Sequence, residues 1–152
     1  MKRGLDTNVS IYAQMPVFPE HEIVRKFLLA QLALPDMTLV VTSNILHEFI
    51  HIVTDGRRFD PPVSMAQAIT LVRLYLGRTN VECISTNESI LLEAFDLMEY
   101  YNLGRKRIAD TLFAATLMHF GIRELITCNP DDFRLFKELK IIDPRYLPTP
   151  SS

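Results

Sequence analysis

The run Thr38-Leu39-Val40-Val41-Thr42 constrains the fold more than any other stretch of this chain. It is aliphatic and β-branched without a break. A strand with one wet face would alternate apolar and polar residues. An unbroken run belongs to a strand covered on both faces, which is the habit of parallel sheets with helices on either side. Further short apolar runs fit the same sheet. Leu5 closes a first strand, Val81 to Ile84 and Leu125 to Thr127 supply two more, and Ile141-Ile142 reads as a last edge strand.

Helical segments fall between these runs. Glu20 to Leu34 places Ile23, Val24, Phe27, Leu28 and Leu32 on one stripe, and Pro35-Asp36 ends it. Ser43 or Asn44 is placed to cap a helix through Val53. Ser64 caps another to about Leu76, with Gly77 as its stop. Asn87 to Tyr101 is amphipathic. Ile108 to Phe120 is apolar nearly all round, so a central position is expected, with Gly121 as its stop. Asp131 to Leu139 reads as a short helix. Strands alternating with helices predict an α/β sandwich around a parallel sheet. One domain over residues 1–147 is expected, followed by a loose tail, 148–152.

Composition narrows the class. Of 152 residues 48% are hydrophobic and 22% charged, which argues against disorder. The net charge of −2 is indifferent between an enzyme with a local acidic pocket and other soluble proteins. Cys83 and Cys128 stand far apart and outside any C-x-x-C, and are expected to be reduced core thiols of a cytoplasmic protein. No apolar h-region follows Met-Lys-Arg-Gly-Leu-Asp, and no run is long enough for a membrane span.

Acidic residues sit at the edges of the apolar runs. They are Asp6 in L-D-T-N, Glu48 in N-I-L-H-E-F-I-H, Asp110 in R-I-A-D-T-L-F-A-A, and Asp131-Asp132 in I-T-C-N-P-D-D-F. Most have a ready structural explanation: Asp6 as an N-cap, Glu48 as an exposed helix position, Asp131 and Asp132 as caps of the last helix; Asp110, opening a nearly all-apolar helix, is harder to explain as a cap alone. Several of them follow strands directly, where sites in parallel sheets gather. A carboxylate beside core is costly unless its charge is compensated. A shared divalent cation compensates all of them at once. Such a site, holding Mg²⁺ or Mn²⁺, would generate a nucleophile from water and stabilise charge on a phosphodiester. Arg105-Lys106-Arg107 is either a phosphate contact or a solvated loop run.

With these motifs in this order, the chain resembles the PIN-domain ribonucleases, and within them the VapC toxins of prokaryotic type II toxin–antitoxin systems. The likeness runs from Gly4 to about Phe136. It implies a four- or five-stranded parallel sheet flanked by helices, Mg²⁺-dependent cleavage of RNA, homodimers and a small antitoxin partner. It assigns Asp6, Glu48 and Asp110 to metal, and Thr7, Asn8 and Thr127 to orienting ligands. Many PIN domains carry T-x-D where this chain has Thr127-Cys128-Asn129. The fourth acid is therefore expected at Asp132, with Asp131 and Asn129 as rivals. The apolar residues between Ser64 and Tyr101, among them Leu74, Leu91, Leu92 and Phe95, exceed what one flank of a small sheet needs. They are expected to contribute to a dimer or antitoxin contact.

A rival chemistry comes from His47-Glu48-Phe49-Ile50-His51, which fits H-E-x-x-H. On a helix the two imidazoles face one way and would hold Zn²⁺, with Glu48 as a protease base. No downstream third ligand is evident, and the scattered acids stay unexplained. A non-catalytic binding module on the same fold is the other alternative, and Asn129 favours it.

Overall fold

The computed structural model describes residues 1–146; the expected tail lies outside them. Five strands form one sheet: β1 (Lys2–Leu5), β2 (Thr38–Thr42), β3 (Val81–Ile84), β4 (Glu124–Ile126) and β5 (Lys140–Ile142). All neighbours are parallel and the order is β3-β2-β1-β4-β5. Leu39, Val40 and Val41 are sealed from solvent, as an unbroken aliphatic strand requires.

Helices cover both faces, giving the α/β three-layer sandwich. From β1 the chain runs through α1 (Thr7–Gln14) and α2 (His21–Ala33) to β2, then through α3 (Ser43–Val53) and α4 (Met65–Leu76) to β3. These two crossovers step the same way along the sheet and share one face: α1 packs on α2 and α3, and α3 on α4. After β3 the chain returns across the sheet through α5 (Glu88–Tyr100) and α6 (Ile108–His119), which pack together on the opposite face. The strand order reverses between β1 and β4, so the crevice of the sheet opens at their carboxyl ends.

Local chemistry explains the element ends. The Thr42 hydroxyl accepts from the Ile45 N–H, so Thr42 caps α3, in place of the expected Ser43 or Asn44. Ser64 and Gln67 cap α4 reciprocally. Gly121, at φ 72°, closes α6: its N–H reaches the Met118 carbonyl, and the Ile122 N–H reaches Leu117. Gly4 lets β1 approach α6, because a Cβ there would run into Leu117.

Four expectations need correction. Thr7–Gln14 is a helix capped by Asp6, where the sequence suggested only the cap. Asp131 to Leu139 is no helix: a 3-10 turn over Pro130–Asp132 is followed by irregular chain, whose Phe133, Phe136 and Leu139 are buried. Ile23 is exposed although it lies on the apolar stripe of α2, and Cys83 is exposed while Cys128 is buried. Among the described residues no helix is long and apolar enough to cross a membrane.

Candidate metal centre at the carboxyl edge of the sheet

Asp6 follows β1 at the switch point and is 7% exposed. Its backbone N–H donates to the Ile126 carbonyl on β4. Its carboxylate caps α1, accepting from the Thr7 N–H at 2.8 Å. The other oxygen accepts from the Thr127 hydroxyl at 2.8 Å and the Asn8 amide at 2.9 Å. Capping and site placement therefore coincide in one residue. Burial lifts the Asp6 carboxyl to about 6 despite these donors, and nearby Glu48 adds to the rise.

The loop after β4 is stitched to the same point. The Cys128 N–H donates to the Asn8 side-chain oxygen at 2.9 Å, and the Asn129 N–H to the Thr127 hydroxyl at 3.0 Å. Glu48 projects from the second turn of α3 and accepts from the Thr7 hydroxyl at 2.8 Å. Asp110 lies in the first turn of α6 and is half-buried. Burial first, then the charges of Asp6, Asp132 and Glu48, push it up to about 7 against the pull of Arg107.

One open cleft of about 630 Å³ is lined by Asp6, Thr7, Asn8, Glu48, Asp110 and Asn129. A cavity of about 40 Å³ behind it is again shared by Asp6, Glu48 and Asp110. Asp132 lines a neighbouring hollow and reaches Asp110 through its charge. Asp131 faces solvent and pairs with Arg134. Arg105 and Lys106 are exposed on a 3-10 turn before α6, whereas Arg107 turns inward and donates to the Asp132 carbonyl. Its buried Nε has no hydrogen-bond partner among the described residues.

The donor set fits a hard divalent cation. Oxygen donors dominate, among the described residues neither histidine nor cysteine lines the cleft, and two of its carboxyls are lifted first by burial and then by neighbouring negative charge. The carboxylates are nevertheless not drawn together. Among the described residues no three acidic, histidine or cysteine side chains gather into a metal-holding cluster. Asp6 and Glu48 are each held at their own hydrogen bonds instead. His47 and His51 are exposed, stacked 6.4 Å apart, and outside the cleft.

The sequence reading missed the apolar and aromatic lining of the cleft. Ile11, Tyr12, Val17, Phe18, Ile52 and Phe59 form it, joined by the largely exposed Arg58. The only sequence signal was an aromatic cluster split between the end of α1 and the loop after α3.

Comparison with known proteins agrees with this architecture. The chain is 26% identical over 141 residues to ribonuclease VapC24 of Mycobacterium tuberculosis, covering 93% of this chain and 95% of that protein. It superposes on VapBC-1 of nontypeable Haemophilus influenzae with a TM-score of 0.66 at 23% identity, covering 96% and 100% of the two chains. A toxin-antitoxin complex from Klebsiella pneumoniae gives a TM-score of 0.61 at 18% identity, covering 93% and 97%. The model of the PIN domain matches residues 5–139, so the chain belongs to the PIN-domain family.

Proposed function

We propose that this protein is a metal-dependent endoribonuclease and the toxin of a toxin–antitoxin pair in the cytoplasm. The observation that carries the reading is the shared cleft of Asp6, Glu48 and Asp110, in which Asp6 is lifted to about 6 and Asp110 to about 7. Asp6, Glu48 and Asp110 would hold Mg²⁺ or Mn²⁺, with Asp132 adding negative charge behind Asp110. When bound, the cation lowers the pKa of water and stabilises charge on the phosphate being attacked. The protein's own part is to position. Thr127 and Asn8 fix the Asp6 carboxylate, and Thr7 fixes Glu48. Asn129 offers a neutral carbonyl oxygen at the cleft, while Asp131 is spent on Arg134. Arg105 and Lys106 are exposed and would be free to contact an RNA backbone; Arg107 instead ties α6 to the Pro130–Asp132 turn.

A partner is supported by exposed apolar surface. Met65 and Leu74 on α4, and Leu91, Leu92, Phe95 and Tyr100 on α5, are exposed on opposite faces of the sheet. Two separate patches suit a homodimer contact and an antitoxin contact. The test is cleavage of labelled RNA by purified protein with Mg²⁺ or Mn²⁺. Asp6→Asn and Asp110→Asn should abolish it, and His47→Ala and His51→Ala should leave most of it. Loss of activity in both histidine variants, together with stoichiometric zinc, would replace this reading with zinc chemistry.

A further inference from the structure

One wall of the acidic cleft is built for something other than a cation. Tyr12 and Phe18 pack with ring centroids 4.5 Å apart, and Phe18 meets Phe59 edge-on at 5.9 Å. Phe59 is buried, Tyr12 and Phe18 are half-buried, and Val17 is 71% exposed. The wall therefore has a buried footing and a wet, apolar front.

It is also held in place. The Phe18 N–H donates to the Met15 carbonyl, and the His21 N–H to the Phe18 carbonyl. The His21 ring lies 2.8 Å from the Tyr12 carbonyl oxygen. The cleft volume of about 630 Å³ falls within the range of about 300–1,000 Å³ of small-ligand clefts.

Charge limits what can sit there. The carboxylates of Asp6, Glu48 and Asp110 repel a phosphate chain, and among the described residues Arg58 is the sole cation lining the cleft. Without a cation on those acids, a nucleic acid entering this cleft needs an attraction that is not electrostatic. Stacking of a base on an aromatic ring supplies it, and every base has a π-face. One nucleotide seated across the cleft would place its base on the aromatic wall and its phosphodiester towards the acids.

We infer that Tyr12 and Phe18, footed on Phe59, form the seat for an unstacked base of single-stranded RNA, with the largely exposed Arg58 taking a neighbouring phosphate. This rests on the nuclease reading for its substrate class, but its test does not depend on cleavage.

The experiment is fluorescence anisotropy with labelled single-stranded oligonucleotides of about eight residues: adenylate, cytidylate, uridylate, and an abasic ribose-phosphate chain of the same length. Binding is measured in EDTA and again in Ca²⁺. Wild-type protein should bind at least one base-bearing chain about tenfold more tightly than the abasic chain. Phe18→Leu and Tyr12→Leu keep apolar bulk and should erase that margin while leaving abasic binding within about twofold. Melting temperature identifies a variant that fails to fold, and the other variant then decides. Arg58→Gln should weaken all chains alike, the abasic one included, by about two- to threefold. No wild-type margin in either condition, or a margin that survives both aromatic substitutions, overturns the inference and leaves the wall to a protein side chain. Cleavage of RNA by wild type but not by Asp110→Asn is scored separately. Cleavage without a margin defeats this inference alone, and a margin without cleavage defeats the nuclease reading alone.

Discussion

Two neighbouring strand ends treat their aspartates differently. After β1, Asp6 is buried, accepts from Thr7, Asn8 and Thr127, and is still lifted to about 6. After β4, Thr127 and Asn129 carry the inward role, and Asp131 neutralises itself on Arg134 in solvent. Desolvation separates the two. A carboxylate at the switch point cannot be solvated fully, so its charge is costly and its carboxyl is held up. One on an exposed turn is satisfied by water and a local arginine, and such a surface pair contributes little.

The largest expected effect breaks this contrast directly. Asp6→Asn or Asp110→Asn should lower RNA cleavage on the order of a thousandfold or more. Asp131→Asn should change it by less than about twofold. Comparable losses from Asp131 in a cleavage assay would show that the turn after β4 supplies an essential acid.

Next comes the residue that joins the two strand ends. Thr127→Val keeps the shape but removes a donor to Asp6 and the acceptor of the Asn129 N–H in a fully buried place. It should cost about 1–3 kcal/mol, seen as a fall of several degrees in Tm, and cleavage should drop about tenfold. Thr127→Ser should restore both. A valine variant with wild-type melting and activity would mean that Asp6 needs no such support.

Metal should act on the first strand end and not on the second. With a dissociation constant on the order of 1 mM, about 10 mM Mg²⁺ adds roughly 1.4 kcal/mol, a rise of about 3–6 °C in Tm. Asp110→Asn should erase that rise and Asp131→Asn should keep it. Identical melting curves in EDTA and in Mg²⁺ or Mn²⁺ would favour a non-catalytic binding module.

The smallest effect is on pH. Asp6 and Asp110 have folded pKa values of about 6 and about 7, raised from 3.8. An acid raised in the folded state carries a penalty that is absent below 3.8 and complete above about 7. Metal-free protein should therefore gain stability as pH falls from about 8 to about 5, with the gain damped by solvent screening at half-buried Asp110. Glu124, held low by hydrogen bonds from Arg3 and then Lys140, loses its contribution only at lower pH. Asp110→Asn should raise the metal-free Tm at pH 8 and flatten the curve. A Tm that rises with pH between 5 and 8 would mean that these carboxyls are not crowded.

Residues whose role is local were the legible ones. Val40 and Val41 announced a covered strand, Ser64 and Gly121 marked helix ends, and Asp6 was recognisable after its strand. The helix Thr7–Gln14 was not, because its short apolar pattern forms only when capped by Asp6 and packed on α2 and α3. The segment after Asp132 misled in the opposite sense. Phe133, Phe136 and Leu139 are spaced like a helix face, yet they fill core without forming one.

By itself the sequence determined the class of fold and the membership in the PIN-domain family. Strand burial and helix capping depend on side chains a few residues apart, and the family motifs are themselves local strings. Only the tertiary structure decided which groups meet. The reversal of strand order between β1 and β4 brings Asp6 to Thr127, 121 positions away, and the packing of α1 on α3 gathers Tyr12, Phe18 and Phe59 into the same cleft as the acids. It also turned Arg107 inward from an otherwise exposed basic triplet. Contacts of that range are set by how the sheet is wound, and no local pattern of residues encodes them.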